Sequence, residues 1–207
     1  MKKLFKPQPL FTPHHSAGDW DFLGAYEYSI ARYISPPTSL TSTAGVAHAV
    51  CKAPGTTKLP SGDIRLWIWE PLATYVIIHF RRQDPIDNLT PNPRTYYIIA
   101  RDAPFFDTAL IYDNFPAPSV LVGTFPYVWP QNEWIHLRVE FLTFNGGDPL
   151  NPLAVNFYVE EAGSWVQKGT VVFDEENHWA ESDPCRVGFT VANGSWVDDV
   201  EVREPAT

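Results

Sequence analysis

The chain has 207 residues, 44% hydrophobic and 14% aromatic with eight Trp, which is enough apolar material for a sizeable core. Its net charge of −9 and scattered Lys and Arg exclude a nucleic-acid backbone as partner, because phosphate binding needs clustered cations. Twenty Pro argue against long helices, no window shows sustained 3.6-residue apolar periodicity, and no run approaches the ~18 apolar residues of a membrane span.

Residues 1–18 carry Lys2, Lys3, Lys6, Pro7 and Pro9 without alternation and read as an extended N-terminal arm. The arm has no apolar secretory core, so assembly without Sec export is expected. Residues 19–207 are expected to form one domain. Its first strand candidate, DWDFLGAYEYSIARYI (19–34), sets Trp20, Phe22, Tyr26, Tyr28 and Ile30 in period two until Pro36–Pro37. GVAHAVCKA (45–53) alternates Ala47, Ala49, Cys51 and Ala53 against Val46, His48 and Val50. DIRLWIWEP (63–71) alternates Ile64, Leu66 and Ile68 against Arg65, Trp67 and Trp69.

TYVIIHFRRQ (74–83) is apolar enough for a central strand, and TYYIIARD (95–102) returns from it across a long Pro-rich loop at 84–95. DTALIYDNF (107–115) and PSVLVGTFPYVW (118–129) follow, the second interrupted by Pro126. From Glu133 to Glu204 short β-type runs succeed one another between Gly, Asn, Asp and Pro. About a dozen strands in this spacing predict an all-β, two-sheet antiparallel jelly-roll sandwich. Cys51 and Cys185 are read as two buried thiols, with a disulfide between an early and a late strand as the alternative.

The block EWIHLRV (133–139), followed by VNFYVEEAGSWVQKG and closed by RVGFTVANGSWVDDVEV, resembles the concanavalin A-like lectin/glucanase superfamily in its laminin-G-like branch. The resemblance covers 133–204 in motifs and 20–130 by strand count. Retaining glucanases of that fold carry a strand-borne Glu-x-Asp-x-x-Glu, whose carboxylates share one face. Here Glu181-Ser182-Asp183-Pro184-Cys185-Arg186 replaces the last carboxylate with Arg and breaks the strand with Pro. The chain is therefore expected not to be an enzyme. The six His lack an accompanying nucleophile motif, and His79 and His136 read as satisfied structural residues.

The resemblance also implies that Ca²⁺ is possible. The candidate ligands are Asp198 and Asp199 of the closing strand, with Asp19 or Asp21 and loop carbonyls. On a regular strand one of Asp198 and Asp199 turns inward or caps a strand end, and acceptance of backbone N–H bonds at the rim is the competing reading. Trp67 and Trp69 face away from the aliphatic set, where they are either a platform for a sugar ring or inter-loop packing. With Asp87 and Asn88 in the 84–95 loop they are the candidate ligand-binding residues.

Two functions follow as expectations. The first is a non-enzymatic structural or adhesion module, a virion-associated capsid-decoration or tail protein, making protein–protein contacts in a larger assembly as a homo-oligomer on a virion or extracellular surface, or otherwise in the cytoplasm. The alternative is a carbohydrate-binding, lectin-like module that takes glycans, with calcium assisting.

Overall fold

The computed structural model describes residues 20–29, 31–34, 39–51, 61–71, 74–82, 96–99, 108–113, 120–130, 132–143, 152–174 and 186–203. Among them are twelve strands: β1 (Trp20–Ser29), β2 (Ser39–Cys51), β3 (Gly62–Trp69), β4 (Val76–Arg82), β5 (Tyr96–Ile99) and β6 (Thr108–Asp113) come first. Then follow β7 (Val120–Pro126), β8 (Trp134–Thr143), β9 (Pro152–Glu161), β10 (Ser164–Asp174), β11 (Arg186–Ala192) and β12 (Trp196–Arg203). No described helix is long and apolar enough to cross a membrane. The arm at 1–18, Asp19, the 84–95 loop with Asp87 and Asn88, and Cys185 lie outside the described residues.

Every ladder between named strands is antiparallel, in the order β10-β9-β8-β3-β12-β2-β11-β4-β5-β6-β7, with β1 along the other edge of β2. Strand β2 is where the sheet folds over. Its first residues, Leu40 and Thr41, pair with β12, and Val46–Val50 pair with β11. The β1–β2 hairpin thus belongs to two layers, one running on through β12, β3, β8, β9 and β10, the other through β11, β4, β5, β6 and β7. Its pairing register shifts beside Gly24, which has φ 99° and whose added Cβ would stand 2.6 Å from the Val46 carbonyl oxygen. Only glycine fits that approach without strain.

The core lies between the layers. Ile64, Leu66, Ile68, Leu137, Val139, Phe141, Val155 and Phe157 from the first meet Ala47, Ala49, Val76, Ile78, Phe80, Val187, Phe189 and Val191 from the second. Phe80 stacks on Phe141 at 5.5 Å and Phe125 on Phe157 at 5.3 Å. Fully buried rings of this kind each cost about 3–5 kcal/mol when cut to Ala. The far seam closes by close packing, because Gly123 would place a Cβ 2.4 Å from Val171 and Gly169 one 2.7 Å from the Phe125 ring.

The expected period-two faces of β3 are present, with Ile64, Leu66 and Ile68 fully buried and Arg65, Trp67 and Trp69 half-buried on the opposite face. On β2, Ala47, Ala49 and Cys51 are buried as expected and Val46 and His48 are half-buried, but Val50 of the opposite face is buried too, and Ala53 lies outside the described residues. The closing strand departs from simple alternation. A register shift between Asp198 and Glu201, with Asp199 at φ 44°, inserts one residue. Val197, Val200 and Val202 therefore all reach the core, while Asp198, Glu201 and Arg203 all pair with outward residues of β3. Neither aspartate needs to enter the apolar interior.

Candidate functional site

The outward face of the first layer is built of cross-strand rows, because residues opposite one another in adjacent strands share a face. Trp196, Trp69 and Trp134 form one row across β12, β3 and β8. Next comes Asp198, Trp67 and His136, continued by Glu160 of β9 and its partner Trp165 of β10. The third row is Glu201, Arg65, Arg138, Tyr158 and Gln167, and the fourth Arg203, Asp63, Glu140, Asn156 and Thr170. Aromatic character thus gives way to charge along the strands.

In the second row three rings stand side by side. Trp67 and His136 are stacked at 4.4 Å and 10°, and Trp165 tilts against the other side of the imidazole at 4.6 Å. Glu160 Oε2 lies 2.5 Å from His136 Nδ1. Burial among the rings pushes the His136 pKa below its usual 6.5, and Arg65 adds to that, while Glu160 and Asp199 oppose it. The turn Ala162–Gly163, with φ 49° and 79°, joins β9 to β10 by a two-residue hairpin and pins Trp165 opposite Glu160.

The third and fourth rows are locked to one another. Asp63 accepts from Arg65 Nε at 2.8 Å and faces Arg138 Nε at 3.4 Å. Glu140 takes Arg138 at 2.5 Å, Asn156 Nδ2 at 2.9 Å and the Tyr158 hydroxyl at 3.2 Å. Burial raises the Tyr158 pKa, and its donation to Glu140 raises it further. Arg65 lies over Trp165 at 5.5 Å and Arg138 over Tyr158 at 4.7 Å, so the guanidinium groups are held in plane as well as paired.

One end of the face is covered. The segment 31–34 crosses the first row, with the Arg32 guanidinium 4.2 Å over Trp69 and 5.1 Å from Trp196. Ile34 N–H donates to Asp198 Oδ2 at 2.7 Å, and Asp199 N–H donates to Oδ1 at 2.8 Å. The Ser39 hydroxyl donates to the Arg32 carbonyl. Asp198, 1% exposed, is therefore the anchor of this strap, accepting backbone N–H bonds.

The two candidate tryptophans accordingly fall into different clusters: Trp69 lies beneath Arg32, and Trp67 belongs to the open row with His136 and Trp165. His136, read from the sequence as structural, is central to that row, and Trp165, which the sequence reading did not single out as a ligand-binding residue, flanks it. The signal for His136 was its parity, opposite to buried Ile135, Leu137 and Val139. His79 does match the structural reading. It is buried with Nε2 2.8 Å from the Thr190 hydroxyl, which also meets His48 Nδ1 at 2.7 Å on the outward side of the second layer.

Both Asp198 oxygens accept backbone N–H bonds, and among the described residues no group of three or more His, Cys, Asp or Glu side chains could hold a metal ion; the further candidate ligand Asp19 lies outside them.

No family model matches the chain, and no curated protein matches it significantly. Solved structures do. The exoplasmic/lumenal domain of VIP36, in its Ca²⁺- and Man3GlcNAc-bound form, aligns with a TM-score of 0.62 at 12% identity over 99% of this chain and 93% of that one. A GH43 glycoside hydrolase engineered to display endo-xylanase and exo-arabinofuranosidase activity aligns at 0.56 and 12% identity, over 100% of this chain but 42% of its own. The carbohydrate-binding module CBM66 from Bacillus subtilis aligns at 0.45 and 14% identity, over 90% of this chain and 92% of that one. At such identities the likeness concerns architecture alone, an all-β antiparallel jelly roll.

Proposed function

We propose that this chain is a non-enzymatic glycan-binding module whose binding surface is the outward face of the first layer, centred on Trp67, His136 and Trp165. The observation that carries the reading is that row of half-buried rings, open at the end away from the strap and bordered by pre-paired polar side chains. Indole rings offer apolar area to the C–H faces of a sugar, and fixed polar groups beside them sort its hydroxyls. Arg65, Tyr158, Asn156 and Gln167 are held by their neighbours before any ligand arrives, so little side-chain entropy is lost on binding. That the VIP36 exoplasmic/lumenal domain, solved with Man3GlcNAc bound, shares the fold supports the reading. The expectation of a particle-associated structural protein drew on the missing export signal, the arm at 1–18 and the lost active-site carboxylates, and the structural neighbours support glycan binding better.

The test is a neutral-glycan array followed by calorimetric titration. Trp67→Ala and Trp165→Ala, each confirmed folded by circular dichroism, are expected to lose about tenfold or more in affinity, as central aromatic anchors do. A folded wild-type chain that bound nothing on the array would overturn the proposal.

A further inference from the structure

His136 holds a hydrogen-bonding capacity that its neighbours leave unused. A carboxylate can only accept, so the short contact from Nδ1 to Glu160 Oε2 requires the ring proton to be on Nδ1. A neutral imidazole carries one N–H, which leaves Nε2 as an acceptor. Nε2 makes no hydrogen bond among the described residues, and it is not one of the fully buried polar atoms. The side chain keeps 19% of its surface exposed although rings flank it on both sides. The result is a bare imine nitrogen recessed between two indoles, with its tautomer held from behind.

We propose that Nε2 of His136 is the specificity-determining acceptor of the site, taking the hydrogen of one hydroxyl of a neutral sugar, with Glu160 as its positioning residue. This rests on the glycan-binding reading and adds which group is read and how binding is regulated. An uncharged ligand follows from the surroundings. Arg65, Arg138 and Arg203 on these rows are already paired with Asp63, Glu140 and Glu201, and Glu160, Asp198 and Asp199 add further negative charge. A uronate or sulfate would meet that surplus, whereas a hydroxyl resting on an indole meets only the imine nitrogen.

Protonation turns Nε2 from acceptor to donor, so binding weakens in acid. The charged and titratable groups facing the imidazole are Arg65 from β3, Glu160 from β9 and Asp199 from β12, and β10 brings the uncharged Trp165. Burial holds the free imidazole below its usual range, which puts the loss of binding below pH 6.5. Below the His136 midpoint the affinity falls about tenfold per pH unit, as exclusion of a single proton requires.

The experiment uses the full chain labelled with ¹⁵N-histidine. Long-range ¹H–¹⁵N spectra report the His136 tautomer and its titration without ligand. An array of neutral oligosaccharides, with mannotriose and xylotriose titrated in solution, reports binding from pH 8 to pH 4.5. Expected are the Nδ1–H tautomer at neutral pH and an affinity that falls with the His136 titration. His136→Phe keeps the ring stack and should lose about tenfold or more in affinity together with the pH dependence. Glu160→Gln should mix the tautomers and lose a few-fold. An Nε2–H tautomer, or glycan affinity that is flat with pH or unchanged in His136→Phe, overturns the inference and leaves the glycan-binding reading standing. A silent array at every pH removes both.

Discussion

His136 shows how burial and charge compete on a single side chain. Flanking by Trp67 and Trp165 strips water from the imidazole, and this outweighs the attraction of Glu160 for the protonated form. The sign of the stability effect follows directly. The unfolded chain binds a proton near pH 6.5 and the folded chain only below that, so between the two values the unfolded state carries more protons. This contribution to stability is complete above about pH 6.5 and is lost as pH falls towards the lowered folded value. Thermal melts should therefore show wild type losing stability between pH 7 and pH 5, with His136→Phe losing less over the same interval. Equal slopes for the two proteins would refute the assignment. Nearby, Asp198 illustrates the opposite outcome for a buried polar group, since two backbone N–H donors accompany it into burial.

Among the elements, the β9–β10 hairpin decides whether Trp165 and Glu160 face each other at all. Its two turn residues both have positive φ, which Gly163 adopts freely but Ala162 adopts against its Cβ. Asn tolerates that region better, so Ala162→Asn should raise the melting temperature, by a gain of about 0.5–1 kcal/mol, without altering the register. A lower melting temperature would show that the turn is not the strained one described. The strands themselves were legible in the sequence where one face is apolar and the other is not, as in β3, because alternation then leaves a single solution for which side chains are buried. The candidate site was less legible. Trp67 and Trp165 stand 98 positions apart, and their meeting depends on the register of β3, β8, β9 and β10 together, which no local pattern states. The bulge at Asp199 and the crossing of 31–34 over Trp69 are likewise products of tertiary packing, and for that reason Trp67 and Trp69 looked like one platform.

At the scale of the whole molecule, charge and site argue in the same direction. The net charge of −9 repels anions at long range, and Arg65, Arg138 and Arg203 beside the rings are paired with carboxylates on their own face, so these three form no cationic patch. A chain that selected uronate or sulfated glycans would need a patch of unpaired cations around the rings, where Arg65, Arg138 and Arg203 are instead paired and Arg32 lies at the strap end over Trp69 and Trp196, and its affinity would fall steeply as salt screened it. Recognition by indole faces and an imine nitrogen depends on contacts of a few ångströms with an uncharged partner, which screening over a Debye length of about 10 Å at 0.1 M hardly changes. Affinity for a neutral oligosaccharide should accordingly vary less than about twofold between ~0.05 and ~0.5 M NaCl, since the ions that crowd into that shorter screening length find no ligand charge to shield. Sulfated or uronate analogues of the same oligosaccharide should bind at least about tenfold more weakly at the lower salt and recover as salt rises, because screening relieves their repulsion from Glu160, Asp198 and Asp199. Calorimetric titration of the paired neutral and anionic sugars at both salt concentrations checks this, and tighter binding of the anionic member at low salt would show that the arginines, not the rings, govern recognition.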